Sequence, residues 1–180
     1  MAKKKNSFYR PNNFILVLAV AFVLLVAVGL FFKNCGSWSA SKGTSIISQG
    51  TQVKSLVTYV DEAASYLEKN GEEKAFEEFR KEGKWRKGET YLFVYNMQGV
   101  TLLLPPQANL EGTNRLTAKD IKGKYFVKEM LEYSKSHASG WLGYYYIKPG
   151  NDTQFMKLSY FKKVRVSGKE MIIGSGVYLE

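Results

Sequence analysis

Cysteine, histidine and proline are scarce in this chain, at one, one and four of 180 residues. A lone thiol, Cys35, cannot close an internal disulfide, so the fold must rest on its apolar core even in an oxidising compartment. One His and one Cys cannot supply the clustered ligands of a metal site, and no metal or cofactor is expected. A Ser/His/Asp or Cys/His relay would have to pass through His137. That residue falls at a predicted helix end beside a Gly turn, where a solvent-exposed imidazole near the negative end of the dipole is the simpler reading. A phosphate-cradling Gly loop is missing too, because Gly174-Ser175-Gly176 lies inside a predicted strand with no helix after it. Carboxylates are spread over helix faces without pairing. Lacking a nucleophile, a metal site and an acid/base pair, the chain is not expected to be an enzyme.

Acids are also in short supply: 16 Asp and Glu against 26 Lys and Arg give a net charge of +10. Four of those charges, Lys3, Lys4, Lys5 and Arg10, precede the one long apolar run. The rest are interleaved with acids, as in Glu77-Glu78-Phe79-Arg80-Lys81-Glu82, which is the pattern of a solvated face. Nucleic-acid binding would need a basic stripe or a known motif, and neither is present.

The apolar run is Phe14 to Phe32, without a charge, a Pro or a polar side chain. As a helix it is about 28 Å long, close to the roughly 30 Å hydrocarbon core of a bilayer. It reads as a transmembrane anchor. Basic residues crowd its N-terminal flank and only Lys33 follows it, so the positive-inside rule leaves residues 1–13 as a cytoplasmic tail and sends the remainder outside. A cleaved signal peptide is the rival, with small residues at Ser37-Trp38-Ser39. Signal h-regions usually run about 7–15 residues, which favours the uncleaved anchor. Lipidation at Cys35 is rejected, since Phe32, Lys33 and Asn34 are not the small residues such a site wants. The expected location is the inner (cytoplasmic) membrane, single-pass, with the domain in the periplasm or outside the cell.

Residues 33–44 are small, polar and rich in Gly and Ser, and read as a linker. The 45–180 segment reads as one domain. Val53, Leu56, Val57, Val60, Ala64 and Leu67 mark one face of a helix from about Ser45 to Lys69, stopped by Asn70-Gly71. A second helix covers Glu72 to Arg80, with Ala75, Phe76 and Phe79 inward. Tyr91–Tyr95 and Val100–Leu104 form a hairpin about the Asn96–Gly99 turn. A polar loop over 107–124 leads to a helix from Tyr125 to His137, with Phe126, Val127, Met130, Leu131 and Ser134 toward the core. Trp141–Ile147, Phe155–Val166 and Met171–Tyr178 form a meander. This order predicts an α+β domain with one antiparallel sheet of about five strands.

The sheet residues carry what chemistry there is. Tyr91, Phe93 and Tyr95 share one face of a strand, and Tyr144 and Tyr146 share one face of another. Lys157 stands mid-strand among apolar neighbours. It is either on the solvent face or aimed into a pocket, and the rarity of buried Lys without a partner favours the solvent face. An aromatic pocket holding one ammonium and several Tyr hydroxyls would suit a small carboxylate.

From about Val60 to Tyr178 the chain resembles the single Cache domain of bacterial extracytoplasmic sensors. The resemblance lies in an ordered set of pieces: Tyr91–Tyr95 with Gly99; Leu102 with Pro105; Gly123-Lys124 with Phe126-Val127; Gly140-Trp141 with Tyr144 and Tyr146; Lys157 with Ser159-Tyr160; and Ile173–Tyr178. It implies a PAS-like antiparallel sheet with a long N-terminal helix, and binding of small organic ligands, often short-chain carboxylates, outside the cell. Carried over residue by residue, Lys157 would pair with the carboxylate, Tyr95, Tyr144 and Tyr146 would line the pocket, and Trp141 would pack beside it. Two departures stand out. Many relatives have a His where Leu104 precedes Pro105 here, which removes a polar contact. Most also continue into a further span and a signalling module, whereas this sequence stops at Glu180. The expected function is therefore a membrane-anchored binding or sensing module for a small organic acid, read by a separate signalling partner or acting as a homodimer. The alternative is a structural or interaction module that keeps the fold without a ligand.

Overall fold

The computed structural model describes residues 40–179, with side chains from residue 52 onward, and the contacts gather residues 46–180 into one compact unit. The expected anchor at 14–32 and the basic tail before it lie outside the described residues. Among the described residues no helix is long and apolar enough to cross a membrane.

Helix α1 runs Ala40–Asn70. It starts five residues before the expected Ser45 and so takes in residues 40–44 of the expected linker. Leu56, Val60, Ala63, Ala64 and Leu67 are buried, an i, i+4, i+7, i+8, i+11 stripe along one side. Gly71 turns the chain at φ 79°, a conformation that suits a residue without a Cβ. Helix α2, Glu72–Arg80, then buries Ala75, Phe76 and Phe79 as its spacing predicts.

The strands follow. β1 (Arg86–Lys87) and β2 (Thr90–Tyr91) form a small ribbon. β3 (Phe93–Asn96), β4 (Thr101–Leu103), β5 (Ser139–Ile147), β6 (Gln154–Val166) and β7 (Lys169–Tyr178) build a five-stranded antiparallel sheet in the order β4-β3-β7-β6-β5. The expected single strand Tyr91–Tyr95 is thus divided at Leu92, because the chain changes partner there: β2 pairs with β1, and β3 with β4 and β7. A 3-10 helix, Pro105–Leu110, opens the segment read as loop, and α3 spans Phe126–Ser134, shorter than its expected Tyr125–His137.

Two apolar layers cover the sheet. On one face Leu67 of α1, Phe79 of α2 and Trp85, in the turn after α2, pack against Leu92, Val94, Val164 and Ile173. On the other, α3 lays Phe126, Val127, Met130 and Leu131 against Tyr91, Phe93, Tyr95, Tyr144, Tyr146 and Phe161. Each fully buried large side chain contributes about 1.5–3 kcal/mol of transfer free energy. The alternation of side chains along the strands therefore sorts the sheet's residues into a helical-hairpin face and an aromatic face. The candidate site is on the aromatic face.

Candidate ligand-binding site

Lys157 is on the aromatic face of β6 and is only 1 % exposed, which corrects the solvent-face reading of its strand position. Position 157 shares its face with Ser159 and Phe161, and all three are buried. Its partner across β5 is Tyr144, and across β7 it is Tyr178. Nζ donates to the Tyr91 hydroxyl at 2.7 Å. It also sits 4.0 Å from the centre of the Tyr91 ring, 5.1 Å from Tyr178, 5.5 Å from Tyr146 and 5.8 Å from Phe93, within reach of their π faces. Among the described residues no carboxylate forms an ion pair with it. Burial alone pulls the ammonium from its ordinary 10.5 down to about 7.

Four hydroxyl hydrogen bonds surround this amine, and two of them continue from Tyr91. Tyr91 and Tyr178 hydroxyls lie 3.1 Å apart, and Tyr178 donates to the Ile147 carbonyl at 2.6 Å. Each phenol has a single proton, so the Tyr91 hydroxyl accepts from Lys157 and donates to Tyr178. Tyr144 meets the Ser159 hydroxyl at 3.1 Å, and Tyr146 donates to the side-chain oxygen of Gln107. Phe126, at the start of α3, stacks flat on Tyr144 with centroids 4.6 Å apart and meets Tyr146 edge-on at 5.5 Å. Burial raises the phenols of Tyr91, Tyr95 and Tyr144 well above 10 and those of Tyr146 and Tyr178 to about 12, so all five are neutral donors at neutral pH.

Two glycines of β7 make the arrangement sterically feasible. A Cβ on Gly176 would meet Lys157 Cε, the Ser159 hydroxyl and the Leu158 carbonyl oxygen, all within 2.8 Å. A Cβ on Gly174 would strike the Phe93 ring and the Tyr160 carbonyl oxygen. The Gly174-Ser175-Gly176 segment is therefore a bare strip of strand across which Phe93 and Lys157 lie. Ser175 points the other way and donates to the Tyr91 carbonyl at 2.7 Å.

The loop before α3 closes the open edge of β5. Asp120 accepts the backbone N–H of Lys122 and Lys124 with one carboxylate oxygen and that of Tyr145 on β5 with the other. Burial opposes its ionisation, but the three N–H donors outweigh burial and hold the carboxyl below its ordinary value. Lys124 adds a bond from Nζ to the Gly143 carbonyl at 2.7 Å.

Of the residues expected at the site, Lys157, Tyr144 and Tyr146 come together, and Tyr95 joins the same layer through Phe93 at 5.5 Å between centroids. Trp141 does not. It alternates onto the opposite face of β5, pairs with Tyr160 at 5.0 Å and is 39 % exposed. Sequence reading missed the roles of Tyr91 and Tyr178, although both stood in the quoted strands; only the pairing of β7 with its neighbours brings them to Lys157. It also missed Arg115, a half-buried loop residue whose charge acts on the phenols of Tyr95 and Tyr146. No hydrophobic pattern marks that position. Leu104, noted in the sequence as a departure from the resembled family, is buried in the same aromatic layer.

A five-stranded antiparallel sheet in the order β4-β3-β7-β6-β5 with a long N-terminal helix on one face is a PAS-like fold. The Cache domain profile matches residues 41–180, and the chain belongs to the Cache domain family. Solved structures agree in fold. A periplasmic sensor domain of a chemotaxis protein is 18 % identical, covers 80 % of this chain and 100 % of its own, and superposes with a TM-score of 0.58. A methyl-accepting chemotaxis protein from Vibrio parahaemolyticus is 20 % identical, covers 78 % and 96 %, and scores 0.63. A Cache chemosensory domain described in terms of carboxylic acid recognition is 25 % identical, covers 78 % and 93 %, and scores 0.56.

Proposed function

We propose that this Cache sensor domain binds a small carboxylate at Lys157 and passes the bound state to a separate signalling protein, held at the membrane by residues 14–32 with the domain on the extracytoplasmic side. One observation carries the reading. The Lys157 ammonium is buried with three N–H donors, and the described residues supply one acceptor, the Tyr91 hydroxyl. Buried charges are normally paired, and a carboxylate would complete this one. The carboxylic acid recognition described for a 25 % identical Cache domain supports the same ligand class. Tyr144 and Tyr146 would orient the second carboxylate oxygen, and Tyr95 and Phe126 would enclose the apolar tail.

The alternative, an interaction module without a ligand, has one observation in its favour: the phenols bond to one another and to Gln107, so the layer is already well connected. Thermal shift of the full chain with acetate, propionate, lactate and pyruvate separates the two. A ligand at a hundred times its Kd should stabilise by about 2.7 kcal/mol. A wild-type protein indifferent to all four acids, or a Lys157→Met variant that responds as wild type does, would remove the ligand assignment.

A further inference from the structure

We infer that the Lys157 site takes up its ligand as a carboxylate together with one proton, so that its affinity falls as the medium becomes alkaline. This rests on Lys157 being the carboxylate's partner.

The argument follows from what faces Nζ. From β2 comes the Tyr91 hydroxyl, from β3 the Phe93 ring, from β5 Tyr144 and Tyr146, from β7 Gly176 and Tyr178. Helix α3 presents Phe126, Val127 and Met130 to this layer and leaves Lys128, Glu129 and Glu132 exposed. The loop contributes Gln107 and the Arg115 charge beside Tyr95 and Tyr146. Beyond Tyr178 stands Lys148, 5.6 Å from its ring and 3.2 Å from Glu89. Asp120 is spent on three backbone N–H groups. Every titratable neighbour is thus a neutral phenol, a cation or an acid already bound elsewhere. No anion in the described domain favours a proton on this amine; only the Tyr91 oxygen and the surrounding π faces do, and burial opposes it more strongly.

A carboxylate guest reverses that balance, because an anion within a few Å favours the charged form of the amine. Above the free amine's transition near pH 7, binding therefore combines an ionised carboxylate, a neutral amine and one proton from water. The product is an ammonium–carboxylate pair of no net charge, with no covalent bond made or broken. Below that transition the proton is already in place and none is taken up. Linkage then lowers affinity by about tenfold for each pH unit on the alkaline side.

Calorimetric titration of the full chain with propionate, in two buffers of unequal ionisation enthalpy, counts the protons. Near zero at about pH 5.5 and approaching one at about pH 8.5, with the tenfold fall in affinity, is the expected result. Binding with no proton uptake and a flat affinity across that range would overturn the inference and leave the carboxylate reading standing. No propionate binding at any pH would overturn both. In a Lys157→Arg variant the guanidinium keeps its proton throughout, so its pH profile should be flat. If it keeps the wild-type slope, Lys157 is not the group that titrates. Should that variant not fold, the wild-type proton count decides alone.

Discussion

Lys157 reaches the Tyr91 hydroxyl by lying across the bare backbone of Gly176, with its Cε 2.6 Å from where a Cβ on that glycine would stand. The amine of one strand thereby meets the phenol of another that is not its sheet neighbour. Gly176→Ala should break this arrangement. The new methyl faces the Leu158 carbonyl oxygen and the Ser159 hydroxyl as well as the flexible lysine, so yielding by Lys157 alone is not enough. Overpacking of this kind costs about 1–3 kcal/mol, read as a lower midpoint in urea unfolding. A midpoint equal to wild type would show that the strip tolerates a side chain.

Lys157→Met should separate stability from binding. Methionine keeps the length of the side chain and removes a charge that the described residues leave without an anion. Replacing a buried charge with an apolar side chain of similar volume is often neutral or stabilising by about 1–4 kcal/mol. The variant is expected to melt at or above the wild-type temperature at neutral pH while its propionate response falls by at least about tenfold, the scale of one lost charge-assisted bond.

Trp141→Ala should leave the propionate response unchanged. The indole is on the face opposite Tyr144 and Tyr146, against Tyr160. A modest loss of stability is expected from the half-exposed ring, and a changed ligand affinity in calorimetry would contradict the assignment of faces.

Stability should vary with pH in two directions. The Lys157 amine has a folded value of about 7 against an ordinary 10.5, so between these the unfolded chain binds the extra proton and this group makes folding more favourable as pH rises. The cost of its charge is fully present below about 7. The buried phenols act oppositely: their folded values lie above 10, so the unfolded chain loses protons first and stability falls once pH passes about 10. Urea unfolding across pH 6 to 11 should show the rise and then the fall, and Lys157→Met should abolish only the rise.

Asp120→Ala should loosen the loop over the edge of β5. The carboxylate satisfies three backbone N–H groups at 2.8 to 3.0 Å. Leaving such donors without partners costs about 1–3 kcal/mol in a buried setting. The checks are a lower unfolding midpoint and faster proteolysis between residues 116 and 125.

Much of this architecture is written in local pattern. The spacing of Leu56, Val60, Ala64 and Leu67 specifies one helix, Asn70-Gly71 its end, and Ala75, Phe76 and Phe79 the inward face of the next. Helical and strand periods are properties of consecutive residues, and so are turns such as Asn96–Gly99. The same alternation also placed Tyr91, Phe93 and Tyr95 together, and Tyr144 with Tyr146. The site was less legible. Lys157 looked like a surface residue because a one-dimensional pattern cannot report what stands opposite a strand, and Trp141 was carried over from the family resemblance although parity puts it on the other face.

The sequence by itself therefore determined the main helices and sheet strands, their order and the α+β class, since those depend on hydrophobic period and turn chemistry within a few residues. Only the tertiary structure decided that β7 lies between β3 and β6, that Phe93 and Lys157 lie across its bare Gly174 and Gly176, and that Lys157 is buried there against Tyr91. Strand order is a choice among distant partners, and the burial of a charge is settled by neighbours that the chain brings from far away in sequence.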